Sequence, residues 1–144
     1  MVFSKPAEVS VTLHGGEPRG DLVAYPPGGT VRGTVTVTPT RDVEVKDIQI
    51  ALMFRTRGRG TTDSERADTL SGLFSGAVSR DMPASYEFTL TLPDAPWSYD
   101  GQLIEIEWNV EVFFDARGLI DARHHQPFIV APDAQADEAE ESIW

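Results

Sequence analysis

The stretch LIEIEWNVEVFF, residues 103–114, alternates apolar and polar side chains from Ile104 to Val112. In an extended chain successive side chains point to opposite faces, so this pattern builds one apolar wall and one solvated, acidic wall. A strand with one dry face and one wet face is typical of an antiparallel sheet, and it favours a β-sandwich over a buried parallel sheet. The apolar wall consists of Ile104, Ile106, Trp108, Val110, Val112 and Phe114, and the opposite wall of Glu105, Glu107, Asn109 and Glu111.

Segments of the same alternating kind recur along the chain, separated by turn-forming residues. Arg55–Thr69 has no hydrophobic anchor, so it is interpreted as a long, mobile and exposed hairpin loop. Leu70–Val78 fits either a short strand or a helical turn. Roughly seven strands and no amphipathic helix predict an all-β fold, an antiparallel two-sheet β-sandwich of the immunoglobulin-like kind. The other expected strands are Ala7–Leu13, Asp21–Ala24, Thr30–Thr38, Val43–Phe54, Ser85–Leu92 and Leu119–Val130.

The length of 144 residues suits one self-standing core, and residues 1–131 are assigned to a single domain. Residues 132–144 are rich in Asp, Glu and Ala, and they are predicted to form an acidic, disordered tail. The sequence has no cysteine, which excludes disulfides, thiolate metal sites and a cysteine nucleophile. No apolar stretch has the length of a signal-peptide core or of a membrane span, so we expect a cytoplasmic protein without membrane insertion.

The formal net charge is −11, and five acidic residues of the predicted tail contribute to it. The rest of the chain is also net negative, so it repels the phosphate backbone of a nucleic acid and an anionic membrane surface. Nucleic acid is therefore not expected as a partner.

Four motifs carry a family resemblance. Tyr25–Val35 (YPPGGTVRGTV) is a Pro–Gly turn that enters a strand of the form V-x-G-x-V, and Val45–Leu52 has the form V-x-x-I-x-I-x-L. Tyr86–Pro93 (YEFTLTLP) has the form F-x-L-x-L-P, and Pro96–Gly101 (PWSYDG) precedes the long strand from Ile104. In order and spacing these motifs resemble the arrestin-like β-sandwich, in particular an arrestin N-domain and the related bacterial sporulation-control proteins.

The resemblance covers residues 7–130, and its motifs are structural, so it implies a fold more than an activity. Arrestins and the related sporulation-control proteins carry two such sandwiches in tandem, whereas this chain has room for one. The interdomain residues on which receptor-sensing arrestins depend are not carried over.

Candidate chemistry along the chain is sparse. His124 and His125 are adjacent in a predicted strand and point to opposite faces, and only His14 remains besides, so no metal site is expected. Ser98 lacks the glycine-flanked elbow of a nucleophile. The carboxylates of the acidic wall stand side by side, but a solvated sheet face does not push their pKa values apart as acid–base catalysis requires. We assign no catalytic residue, no metal and no cofactor.

Arg55, Arg57 and Arg59 form the only local concentration of positive charge in this acidic chain. Arginine forks suit carboxylates or phosphates, so these residues are candidates for contact with an acidic protein surface or with the chain's own tail. A solvated hairpin tip is the plain alternative. Trp144 ends the acidic tail with nothing local to pack on, and it is the other candidate protein-binding residue.

These observations predict a non-enzymatic scaffold or adaptor domain that binds a protein or peptide of unknown identity. Open sheet edges also make strand addition or homodimerisation available. The alternative is a small-ligand-binding protein or a hydrolytic enzyme that uses the acidic sheet face or a pocket at one end of the sandwich.

Overall fold

The computed structural model of the protein describes residues 7–116 and 122–134, with the backbone alone at 122 and 123. These residues contain no helix. The strands are β1 (Ala7–His14), β2 (Glu17–Arg19), β3 (Leu22–Tyr25), β4 (Thr30–Pro39), β5 (Val43–Gly58), β6 (Thr61–Leu70), β7 (Gly76–Val78), β8 (Ala84–Thr91), β9 (Tyr99–Asp100), β10 (Ile104–Ala116) and β11 (Ala122–Val130).

The strands form two sheets that pack face to face. The small sheet has the order β1-β4-β8. The large sheet has the order β2-β3-β11-β10-β5-β6, with β7 added to β5 and β9 added to β10. Every pairing is antiparallel except that of β3 with β11, which is parallel. The prediction of an all-β two-sheet sandwich is confirmed, with one parallel pairing that the sequence did not indicate.

The core lies between the sheets and has Trp108 near its centre. This side chain is 1% exposed. Its ring centroid lies 5.0 Å from that of Phe54 and 5.9 Å from that of Phe128, and the indole Nε1 donates to the carbonyl oxygen of Pro96 at 3.1 Å. The apolar wall therefore faces inward at this level, as its alternation predicts. Val31, Val35, Phe88 and Leu90 of the small sheet belong to the same buried core cluster as Trp108.

The glycine of the V-x-G-x-V strand makes room for an aromatic ring. Gly33 on β4 pairs with Phe88 on β8. A Cβ placed on Gly33 would lie 2.7 Å from two ring atoms of Phe88 and 2.7 Å from the carbonyl oxygen of Thr12. Any larger residue there would force the two sheet neighbours apart.

The interpretation of Arg55–Thr69 as a loop is wrong. β5 continues to Gly58, β6 begins at Thr61, and the two strands pair from Gly58–Thr61 back to Ile50–Leu70 with one bulge after Leu52. The apolar alternation that signals a strand is missing because residues 61–67 are exposed on both faces. Backbone pairing to β5 holds residues 61–67 in place, and Leu70 at the end of β6 packs against the core. Within Leu70–Val78, which the pattern left open, Gly76–Val78 is a strand paired with β5.

The two walls of β10 are less uniform than their sequence. At one end Ile104 is 47% exposed, because β5 and β10, with 16 and 13 residues, extend beyond the small sheet, whose strands have 8 to 10. On the opposite wall, Asn109 is buried rather than solvated. Phe113 also lies on that side, where the guanidinium carbon of Arg66 stands 4.8 Å from its ring centroid.

The end of the predicted domain is held by backbone hydrogen bonds. The amide of Ala131 donates to Tyr25, and Ala134 donates to Ala131 in a turn. Residues 135–144 of the predicted acidic tail lie outside the described residues, as do residues 117–121, which include the start of the predicted strand Leu119–Val130. In the described ranges no helix could cross a bilayer.

Candidate functional site

Two neighbouring surfaces of the large sheet contain the arginines of the β5–β6 hairpin and carboxylates of the acidic wall. The first is built around the β5–β6 hairpin. Arg57 on β5 pairs with Glu105 on β10, and Glu107 is the next residue of β10 on the same face of the sheet. Its guanidinium lies 2.9 Å from the Glu107 carboxylate and 3.7 Å from that of Glu105, so the positive charge of Arg57 is directed to its own sheet.

Arg59 occupies the two-residue turn with Gly60. Its φ is 45° and that of Gly60 is 83°, which is the arrangement of a type I′ hairpin turn. The turn holds the Arg59 side chain at the exposed tip. Arg55 is half-buried and pairs with Glu107 on β10 and with Ser64 on β6. The three predicted arginines thus lie on one strand and its turn, with different surroundings.

Exposed apolar side chains adjoin this hairpin. Tyr99 is 57% exposed, Leu103 63% and Ile104 47%. A depression of about 280 Å³ is lined by both the tip residues Arg57 and Arg59 and the apolar residues Leu103 and Ile104, and a second depression joins Tyr99 to the same pair. We call the surface formed by Arg57, Arg59, Tyr99, Leu103 and Ile104 the hairpin-end patch.

The second surface is a cleft where β10 changes its neighbour. β9 pairs with β10 at Glu105 and Ile106, and β11 pairs with it from Trp108 onward. The two neighbours diverge because β11 turns to pair with β3 at Ile129, while Ser98, just before β9, exchanges hydrogen bonds with Val130. A cleft of about 570 Å³ opens between them, which we call the β10 cleft.

Apolar side chains and carboxylates line the β10 cleft. Leu22, Pro127 and Ile129 contribute apolar surface, and Asp100, Glu105 and Glu107 contribute acidic groups. His125 lines it from β11. Asn109 lies among these residues and is 5% exposed.

The remaining sequence candidates have local roles. His124 faces Val112, His125 faces Glu111, and the Nε2 atom of His14 lies 2.8 Å from the hydroxyl of Thr34. Residues 7–116 and 122–134 contain no group of three His, Asp or Glu side chains that could hold a metal ion. The hydroxyl of Ser98 accepts from the amide of Val130 at 2.9 Å, which ties β9 to the end of β11. Trp144 lies outside the described residues.

The shifted pKa values belong to groups outside both surfaces. A hydrogen bond from Arg19, at 3.0 Å, lowers the pKa of Asp133 below its usual value. Hydrogen bonds to Glu17 and then to Asp133 raise the pKa of Arg19. Burial raises the pKa of Tyr86. The ion pair between Arg19 and Asp133 fastens the turn after β11 to β2.

Sequence reasoning missed Leu103 and Asn109. Leu103 and Ile104 are consecutive apolar residues at a strand start, and two consecutive side chains cannot both enter the core, which was a usable signal. Asn109 is the one amide in a row of glutamates. Its burial depends on how β11 covers β10, which no local pattern reveals.

The architecture is that of an arrestin-like β-sandwich. No protein-family model matches the chain, and no curated protein matches its sequence. Among solved structures, the chain is similar to the sporulation control protein Spo0M of Bacillus subtilis, with a TM-score of 0.67 and 23% sequence identity. The match covers 88% of this chain and 50% of Spo0M, so the chain spans about half the length of that protein. The likeness shows the fold and confirms the resemblance of the motifs.

Proposed function

We propose that the chain is a non-enzymatic, cytoplasmic adaptor domain that binds a partner protein through the hairpin-end patch. The observation that carries this proposal is the contiguity of exposed Tyr99, Leu103 and Ile104 with the arginine tip of the hairpin. Tyr and Arg are enriched where proteins bind each other, and exposed apolar side chains grouped in one place mark such surfaces.

The patch suits a partner that offers apolar side chains at its centre and carboxylates at its rim. Leu103 and Ile104 lose more water-exposed area on contact than half-buried residues would, which favours association. Arg59 is exposed at the tip and can pair with a carboxylate, whereas Arg57 is engaged with Glu107. The predicted contribution of Arg59 is therefore larger than that of Arg57.

The likeness to Spo0M supports a regulatory, binding role for such a sandwich, since that protein is described as a sporulation control protein. A second copy of this chain is another partner to consider, through the patch or through the free edge of β6. Sedimentation of the purified chain at rising concentration separates self-association from binding of another protein.

Photo-crosslinking in the native cell, followed by mass spectrometry, tests the proposal. A photoreactive residue at Leu103 is expected to capture a defined partner, while one at Met82, which is exposed elsewhere, is not. The double variant Leu103→Ser and Ile104→Ser should lose that partner in affinity purification, and Met82→Ser should retain it. Recovery of the same proteins by all variants would remove the patch as the binding surface.

A further inference from the structure

Asn109 is 5% exposed, and within the described residues its side-chain amide makes no hydrogen bond to another residue. Every side-chain polar atom that is fully sealed from solvent in those residues does have a partner, so the Asn109 amide keeps some contact with solvent, and the β10 cleft is the depression that Asn109 lines. A buried amide that keeps its donors and acceptor for the cleft lowers stability and is typical of a binding site.

The charge of the cleft selects the sign of its ligand. Asp100, Glu105 and Glu107 line it, and within the part of the chain that the structure describes, the one guanidinium paired with them is that of Arg57, which contacts Glu107 and Glu105 together. His125 and Tyr99 also line it. The three carboxylates outnumber this guanidinium, so a positively charged group is attracted.

The walls suit an aliphatic stem. Leu22, Pro127 and Ile129 supply apolar surface beside the carboxylates. Lysine and arginine side chains bury their methylene stems along such surface while the charged head stays at the rim. The volume of about 570 Å³ lies in the range of small-ligand sites and accommodates one long side chain with its backbone.

We infer that the β10 cleft binds an extended peptide segment of a partner protein that presents a lysine or arginine side chain. The Asn109 amide pairs with the main-chain amide of that residue, because a carboxamide offers both donors and an acceptor. Leu22 and Ile129 hold the stem, and Asp100 and Glu105 receive the cation. One basic residue within a peptide meets all three demands, which a simple cation or an apolar fragment does not.

The test uses the full chain, fluorescently labelled, on an array of ten-residue peptides built from Ala, Ser, Val and Leu. The central position is Lys, Arg, norleucine, Gln or Glu. Peptides with Lys or Arg should bind at least tenfold more tightly than those with norleucine, which has a similar stem and no charge, and Glu should bind least. Equal retention of norleucine and Lys would overturn the inference.

Variants and a competitor locate the binding. Asn109→Leu should weaken binding at least tenfold, while the melting temperature stays equal or rises. If the amide had a structural role instead, its loss would lower the melting temperature. Asp100→Asn, at an exposed position that tolerates change, should also weaken binding, and Glu87→Gln on β8 should not. Unaltered binding by both cleft variants overturns the inference. Competition by putrescine as strong as that by the peptide also overturns it, because it would indicate a site for free amines. If no peptide of the array binds, the inference about the cleft fails, while the proposal for the hairpin-end patch is tested separately by crosslinking at Leu103.

Discussion

The guanidinium of Arg57 on β5 lies 2.9 Å from the carboxylate of Glu107 on the neighbouring strand β10 of the large sheet. Arg57 pairs in register with Glu105, so the contact to Glu107 is diagonal. The most arginine-rich part of the sequence therefore neutralises part of the acidic wall of β10. Both side chains are more than a third exposed, so solvent screens the attraction.

A double-mutant cycle measures this pair. Because exposed ion pairs contribute little, Arg57→Gln and Glu107→Gln should show a coupling free energy of about 0.2–1 kcal/mol in urea unfolding at low salt. The coupling should shrink in 1 M NaCl. The cycle of Arg59→Gln with Glu107→Gln is the control and should give no coupling; a coupling as large as that of Arg57 would place the tip arginine on the same carboxylate.

The turn residue Arg59 is a candidate for stabilisation by substitution. It adopts a positive φ that costs most residues energy and that Asn adopts readily. Arg59→Asn should raise the free energy of unfolding by about 0.5–1 kcal/mol, measured by urea denaturation. Thr62→Asn introduces the same residue into the extended backbone of β6 and should not stabilise. A loss of stability at Arg59 would show that its side chain contributes more than its backbone costs.

Two tryptophans in different surroundings test the core assignment. Trp108 is 1% exposed and Trp97 is 50% exposed. Trp108→Ala should lower the free energy of unfolding by about 3–5 kcal/mol, through lost burial and the cavity left behind. Trp97→Ala should cost less than half of that, because Trp97 is already 50% exposed in the folded state. Equal thermal melts for the two variants would contradict the inward orientation of the apolar wall.

The sandwich was predictable because burial on one face of a strand leaves a period of two in the sequence. That period is clear in β4, β8 and β10, where Val31, Phe88 and Trp108 enter the core. It is absent in β6, whose first seven residues are exposed, and the strand was missed for that reason. The parallel pairing of β3 with β11 joins segments about a hundred residues apart, and no local pattern encodes it.

The candidate sites were predictable only in part. The arginines of the hairpin were recognisable by composition, but their contacts depend on the register of β5 with β10. The β10 cleft arises from the divergence of β9 and β11, which is a tertiary event. The burial of Asn109 follows from it, and in the sequence Asn109 is one more polar residue on the wet face of a strand.

The ion pair between Arg19 and Asp133 predicts a local pH dependence. Arg19 donates to Asp133 at 3.0 Å, and this hydrogen bond holds the pKa of Asp133 below the ordinary value of 3.8. A carboxyl group with a lowered pKa in the folded state stabilises that state above its unfolded pKa, and the contribution disappears as the pH falls through the folded pKa. The contact that fastens the turn after β11 to β2 should therefore be complete at neutral pH and lost in acid below pH 3.8.

Titration of the Asp133 carboxyl carbon by NMR should show a midpoint that rises in Arg19→Gln, because the hydrogen bond and the nearby positive charge are removed. Arg80→Gln, which removes an arginine paired with Asp81 elsewhere, is the matched control and should leave the Asp133 midpoint unchanged. If Arg19→Gln also left it unchanged, the ion pair would not persist in solution, and the turn after β11 would be held to β3 by the backbone hydrogen bond from Ala131 to Tyr25 without it.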